Sequence, residues 1–211
     1  MVAKLGRKRV IVGLLLAVLF GVSAYAAAGG TMGSLETAIF NAVYGMADHF
    51  EPFALAVTQL GSMWLLLALV GLLFVVHWDP RPAVELFRGG VLAYLLAWFF
   101  KTIVSRARPV DLVEGLASRE IVVRGNGFPS AHTALATVIV LTLWPYVPAK
   151  WRWLSVVWVG LVAWSRIYLG VHAPLDVIGG FLLGALVVLA ARRLQKSKPP
   201  APKKAKTIAK A

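Results

Sequence analysis

Apolar runs long enough to cross a bilayer recur six times along this 211-residue chain, near Val10–Ala28, Ala54–Val76, Gly89–Val104, Ala131–Val147, Leu154–Leu169 and Leu175–Leu194. A helix needs about 20 predominantly apolar residues to traverse a hydrocarbon core roughly 30 Å thick. Inside lipid every backbone N–H and C=O must find its partner within the protein, and a helix meets that demand with its own chain. The sequence therefore predicts an all-α polytopic membrane protein, six transmembrane helices in a bundle over residues 1–194, followed by a basic tail over 195–211. Only 15% of the residues are charged and 59% are hydrophobic, against about 25% charged in a soluble domain. That composition argues against a soluble fold and against disorder in the body of the chain. The absence of cysteine removes disulfides, thiolate nucleophiles and cysteine-ligated metal centres.

A net charge of +13 would raise the question of nucleic acid in a soluble protein. Here its placement reads as topology, and no nucleic-acid partner is expected. With a cytoplasmic N-terminus, Lys4, Arg7, Lys8, Arg9, Arg81, Arg88, Lys150, Arg152 and eight basic residues from Arg192 to Lys210 lie inside, sixteen against six outside. The positive-inside rule then sets both termini in the cytoplasm, and a bacterial inner or plasma membrane is the expected location. The first outer segment, Gly29 to Phe53, has no Lys or Arg and carries Glu36, Asp48 and Glu51. Within it, Ser34 to Tyr44 is patterned as a short interfacial helix. Lys4 to Arg9, the apolar Val10 to Val22 and Ala24-Tyr25-Ala26 also spell a secretory signal; the length of the run and the helices after it favour an uncleaved anchor. Either choice starts residue 29 outside. The Lys-, Pro- and Ala-rich tail is expected to be disordered, with a topological role and contact with anionic headgroups.

Ionisable residues inside apolar segments are costly and point to function. Lys101 ends the third run and is followed by Arg106 and Arg108; His132 begins the fourth; Arg166 interrupts the end of the fifth; His172 and Asp176 begin the sixth. With the orientation set by charge, all of them fall near one outer face. Pro109 stops helix beyond Arg108. Pro129 suits the first turn of the fourth helix, leaving Ser130 and the amides of Ala131 and His132 at a positive helix end suited to an anion. Gly125-Asn126-Gly127 supplies a flexible approach to that turn. Pro174 sets Asp176 in the first turn of the sixth helix, four residues after His172, where the carboxylate can accept the imidazole Nδ1 proton and fix the tautomer.

Cations, a hydroxyl, helix-end amides and two histidines converging on one site fit a phosphate group, whose transfer demands charge neutralisation at its oxygens. One histidine can attack phosphorus through Nε2 while the other protonates the departing oxygen. The Asp partner marks His172 as nucleophile and leaves His132 as general acid. Taken singly, each residue has an ordinary explanation: snorkelling for Lys101 and Arg108, anchoring for Arg166, capping for Ser130 and a helix-end charge for Asp176. Their joint spacing is what argues for a site.

Lys101-x6-Arg108-Pro109, Pro129-Ser130-Ala131-His132 and Ser165-Arg166-x5-His172-x3-Asp176 together resemble the three-part signature of the membrane-bound type 2 phosphatidic acid phosphatase superfamily, written K-x6-RP, PSGH, SR-x5-H-x3-D. Intervals of nineteen and thirty-two residues between the blocks are similar to the family's. The resemblance implies a metal-independent lipid phosphatase with a six-helix core. By the same resemblance Lys101, Arg108, Arg166, Ser130 and the neighbouring amides bind phosphate, His132 is the acid, His172 becomes phosphohistidine and Asp176 orients it. Ala131 stands where the family has Gly, which makes the backbone contact there the weakest carry-over.

The expected function is thus hydrolysis of the terminal phosphate of a lipid phosphate or diphosphate. Undecaprenyl diphosphate is the first choice, followed by phosphatidylglycerophosphate, phosphatidate and lipid A phosphates. A lipid phosphotransferase using the same site and a non-catalytic lipid-phosphate binding or transport protein are the alternatives; the soluble vanadium haloperoxidases, which share the motif, are disfavoured by the membrane segments. Histidines and an Asp could bind a divalent ion, but three neighbouring cations repel one, so no metal or cofactor is expected. Arg106, Arg119 and Arg124 are read as solvated loop charges, with headgroup recognition as the second choice, and His49 and His77 as structural.

Overall fold

The computed structural model describes residues 2–76, 79–120 and 125–196; His77, Arg124 and all of the tail beyond Lys196 lie outside them. The helices are α1 (Val2–Ala28), α2 (Ser34–Tyr44), α3 (Glu51–Thr58), α4 (Met63–Val76), α5 (Arg81–Val104), α6 (Pro109–Leu112), α7 (Ala131–Leu143), α8 (Arg152–Tyr168) and α9 (Pro174–Lys196). By length and composition Val10–Ala28, Arg81–Leu112 and Pro174–Arg193 each suffice to cross a membrane, and Asp48–Gly61 with Met63–Val76 suffice together across a 52° bend. The apolar stretch Ala131–Tyr146 is shorter, about 24 Å at the rise of a helix.

The bend has a local cause. Gln59–Gly61 tighten into a 3-10 turn and Ser62 turns extended, its hydroxyl accepting from the amide of Leu65 at 3.2 Å to start α4 afresh. One apolar run in the sequence thus becomes two helices. At the other face of the molecule α1 presents Val10, Leu14, Val18 and Val22 at 45–62% exposure, a row of bare aliphatic side chains that suits lipid and not water.

Helix α7 is buried from Thr133 to Val140 without a polar face, as a central helix must be. Leu135, Val138 and Ile139 pack with Leu86, Ala93 and Ala97 of α5, Leu182, Leu183 and Val187 of α9, and Leu66 and Val70 of α4. Gly184 brings α9 onto α7 so closely that a Cβ there would stand 2.6 Å from the Ala134 carbonyl oxygen. Small residues at such crossings replace the hydrophobic drive that is missing between helices in lipid. The close crossing draws the starts of α7 and α9 together, and the site is built on those starts.

Candidate active site

Lys101, Arg108, Ala131, His132, Arg166 and His172 line one cavity of about 560 Å³, joined by Tyr94, Trp98 and Glu120. Four different helix ends deliver them. Lys101 is in the last turn of α5, which stops at Ser105 in the left-handed region with φ 49°. The chain then runs extended through Arg108 before Pro109 opens α6, so Arg108 arrives from a loop and not from a continued helix.

Each cation is held by backbone carbonyls or a hydroxyl. Lys101 Nζ donates to the carbonyl oxygens of Asn126 at 2.6 Å and Gly127 at 2.7 Å, and Asn126 Nδ2 returns a bond to the Lys101 carbonyl. Two of the ammonium's three donors are thereby engaged. Arg108 Nε donates to Gly125 O and its NH1 to Val171 O. Arg166 NH1 donates to Thr58 Oγ1 at 2.7 Å and NH2 pairs with Glu120 at 2.8 Å. Among the described residues its buried Nε has no hydrogen-bond partner.

The x5 spacing between Arg166 and His172 is the length of a tight turn. Gly170, at φ +74°, reverses the chain, and the amides of Val171 and His172 both donate to the Arg166 carbonyl. Pro174 then opens α9 as expected, with Asp176 in its first turn. Asp176 Oδ2 stands 3.2 Å from His172 Nδ1 and accepts the Ala173 amide at 2.9 Å. A carboxylate so fixed keeps Nδ1 protonated and leaves Nε2 with its lone pair. Burial, reinforced by Lys101, Arg108, Arg166 and His132, holds the His172 imidazole well below histidine's usual range, which favours the neutral ring.

Ser130 differs from its expected placement. Its hydroxyl is the N-cap of α7, accepting from the Thr133 amide and from Thr133 Oγ1, and it is fully buried; it is not among the side chains lining the cavity. Its amide donates to the Asp176 carbonyl at 2.8 Å, which ties the two helix starts together. Pro129 precedes this cap and is not in the first helical turn, because the cap residue itself holds the extended backbone. Ala131 does line the cavity.

The sequence reading missed several groups. Arg106, read as a solvated charge, is completely buried and pairs with Glu36 at 2.6 Å and Asp176 at 3.1 Å. Arg119, read the same way, lies 4.3 Å from the Tyr44 ring and 4.5 Å from the Tyr168 ring and pairs with Asp48. Glu120 and Thr58, the partners of Arg166, carried no signal because each lies in a segment with no motif. His49 stacks on Phe50 with ring centroids 4.3 Å apart, away from the cavity lining. Among the described residues, no three His, Asp or Glu side chains are grouped as metal ligands.

The PAP2 superfamily model matches residues 82–199, more than half of the chain. An undecaprenyl-diphosphatase of Sulfolobus acidocaldarius is 28% identical over 143 residues, which are 67% of this chain and 69% of that protein. The crystal structure of LpxE of Aquifex aeolicus aligns with a TM-score of 0.70 at 25% identity, covering 76% of this chain and 96% of that one. A transmembrane PAP2-type phosphatidylglycerolphosphate phosphatase from Bacillus subtilis aligns with a TM-score of 0.70 at 26% identity, covering 90% and 98%. Apolar helices, the three signature blocks gathered in one cavity and these matches agree, and the chain is an integral membrane protein belonging to the PAP2 superfamily.

Proposed function

We propose that the protein hydrolyses the terminal phosphate of a membrane lipid phosphate or diphosphate through a phosphohistidine, with its six apolar segments spanning the membrane and its site open to the outer face. The observation that carries this reading is the single cavity lined by both histidines and by Lys101, Arg108 and Arg166, backed by Asp176 on His172. His172 Nε2 attacks phosphorus in line, the bond from phosphorus to the lipid oxygen breaks, and His132 gives that oxygen a proton. Water then attacks the phosphohistidine while His132 takes a proton from it, the bond from nitrogen to phosphorus breaks, and inorganic phosphate leaves. The cations and the amides at the start of α7 stabilise charge on the equatorial oxygens, which is where catalysis of this reaction has most to gain. Undecaprenyl diphosphate is the favoured substrate, supported by the archaeal relative of that name.

The test is phosphate release by the purified full-length protein in detergent, with EDTA present, from a panel of prenyl diphosphates and phospholipid monophosphates. Release is expected to persist under chelation, because a pocket walled by three cations disfavours a divalent ion. His172→Ala is expected to abolish it. His132→Ala is expected to be partly tolerated with aryl phosphates, whose leaving group needs no proton: the aryl alcohol is released, while hydrolysis of the phosphohistidine, which uses His132 as base, is slowed. Activity lost to EDTA and restored by one metal, or equal and mild effects of the two substitutions, overturns the mechanism. Phosphorylated acceptor lipid in place of free phosphate identifies a transferase, and ligand retention without release a binding protein.

A further inference from the structure

Behind Asp176, on the side away from the cavity, stands a charged cluster that phosphate binding does not require. Arg106 NH1 donates to Asp176 Oδ1 at 3.1 Å and to Glu36 Oε1 at 2.9 Å, and NH2 donates to Glu36 Oε2 at 2.6 Å and to the Thr31 carbonyl at 3.3 Å. Glu36 Oε1 also accepts the amide of Leu175 at 2.9 Å, in the first turn of α9. Arg106 and Asp176 are fully buried and Glu36 is 8% exposed. None of the three is in the cavity lining. Glu36 lies outside the segment matched to the superfamily, residues 82–199.

The two oxygens of Asp176 divide their work. Oδ2 faces His172 Nδ1 and the Ala173 amide, while Oδ1 faces Arg106. Without the guanidinium, a fully buried carboxylate loses its ionic partner and tends to take up a proton or turn, and either ends its grip on the imidazole. A guanidinium whose only counterion was Asp176 would in turn compete with His172 for the carboxylate's charge. Glu36 meets both terminal nitrogens of Arg106 and shares that positive charge, so the Asp176 carboxylate keeps its strength toward Nδ1. Through the Leu175 amide, Glu36 also fixes the helix turn that carries Asp176.

We propose that Arg106 and Glu36 are positioning residues for the nucleophile, holding the Asp176 carboxylate in the orientation that fixes the His172 imidazole. The proposal rests on the phosphatase reading, in which His172 attacks phosphorus. It differs from a merely structural ion pair in its consequence: loss of the cluster slows the chemical step and leaves the phosphate cage of Lys101, Arg108 and Arg166 intact.

The experiment compares full-length wild type, Arg106→Gln, Arg106→Lys and Glu36→Gln, each also in an Asp176→Asn background, purified in detergent. Arg106→Gln is expected to lower kcat by about 10–100-fold, as loss of a group that orients a site ligand does, with KM and inhibition by inorganic phosphate within about twofold. Arg106→Lys recovers part of kcat. Glu36→Gln, which keeps the side chain's shape and its acceptor for Leu175, shows a smaller loss of the same kind and keeps the proposal testable if Arg106→Gln does not fold. In the Asp176→Asn background either change adds little further loss. A second readout needs no turnover: 15N-histidine NMR of the substrate-free protein is expected to show His172 protonated at Nδ1 in wild type and a mixture of tautomers in Arg106→Gln. Equal loss in both backgrounds, loss confined to KM and phosphate inhibition, or an unchanged tautomer overturns the proposal. A wild type that releases no phosphate yet shows the tautomer shift counts against the phosphatase reading and supports the positioning role.

Discussion

The proton affinity of His172 is lowered for reasons that can be taken apart one group at a time. Burial is the largest cause of its depressed proton affinity, followed by Lys101, Arg108, Arg166 and His132. All act in one direction, because the charged imidazolium is disfavoured both by a dry surrounding and by like charges. The proposed attack on phosphorus needs the lone pair, so the sign favours it: a depressed proton affinity is expected to keep the ring unprotonated as pH falls through histidine's ordinary value of about 6.5, and in that mechanism the capacity to attack is lost only at still lower pH. A 15N-histidine titration of the substrate-free protein is expected to show His172 still unprotonated when the pH has been lowered from about 7.5 through the ordinary histidine value of about 6.5. Arg108→Gln, which removes one of the like charges, is expected to move the midpoint upward. A midpoint near 6.5 in wild type would mean that neither burial nor the three cations discourages the imidazolium.

At the scale of helices, the site depends on how closely α9 approaches α7. A Cβ at Gly184 would meet the Ala134 carbonyl at 2.6 Å and Thr137 Cβ at 2.8 Å, and a backbone oxygen in a central helix has nowhere to yield. Gly184→Ala is therefore expected to cost about 1–3 kcal/mol through overpacking, outweighing the gain in helix propensity of up to about 1 kcal/mol. Gly160→Ala in α8, where an added Cβ meets nothing within 4 Å, keeps only the propensity gain. Thermal melts of the two variants in detergent are expected to move in opposite directions, with phosphate release reduced only in the first. The same helix ends show what the sequence made readable. Apolar runs, Pro174 and the spacings around Lys101, Arg166 and His172 are local signals, so the apolar segments and Lys101, Arg108, Ala131, His132, Arg166 and His172 were legible before any fold was known, whereas Tyr94 and Glu120 on the same cavity wall were not. Ser34–Tyr44 was legible as a helix for the same reason, and its bounds agree with α2. The contact from Glu36 to Arg106 spans 70 positions and has no local pattern; in sequence Glu36 is one polar residue of a short interfacial helix and Arg106 looks like a loop charge. The capping role of Ser130 was hidden differently, since a hydroxyl before a helix suits an anion and a cap equally well.

On the scale of the whole molecule, the charges sort to opposite ends of the bundle, and the proposed outward orientation of the site rests on that sorting. Lys101 at the end of α5, His132 at the start of α7, Arg166 at the end of α8 and Asp176 at the start of α9 share one end. Arg81 at the start of α5, Lys150 just ahead of α8 and Arg152 at its start belong to the other. By the positive-inside rule the second group is expected in the cytoplasm, and the proposed outward-facing cavity follows from that expectation. Because the chain has no cysteine, single replacements can report on each end without background. Ala117 and Ala149 are both exposed, the first in the loop leading to α7 on the cavity side and the second between α7 and α8. In intact cells a membrane-impermeant maleimide is expected to label Ala117→Cys at once, and Ala149→Cys only after permeabilisation. The reverse pattern would put the cavity in the cytoplasm and restrict its substrates to lipids of the inner leaflet, and labelling of both without permeabilisation would show that the charge asymmetry does not set the topology.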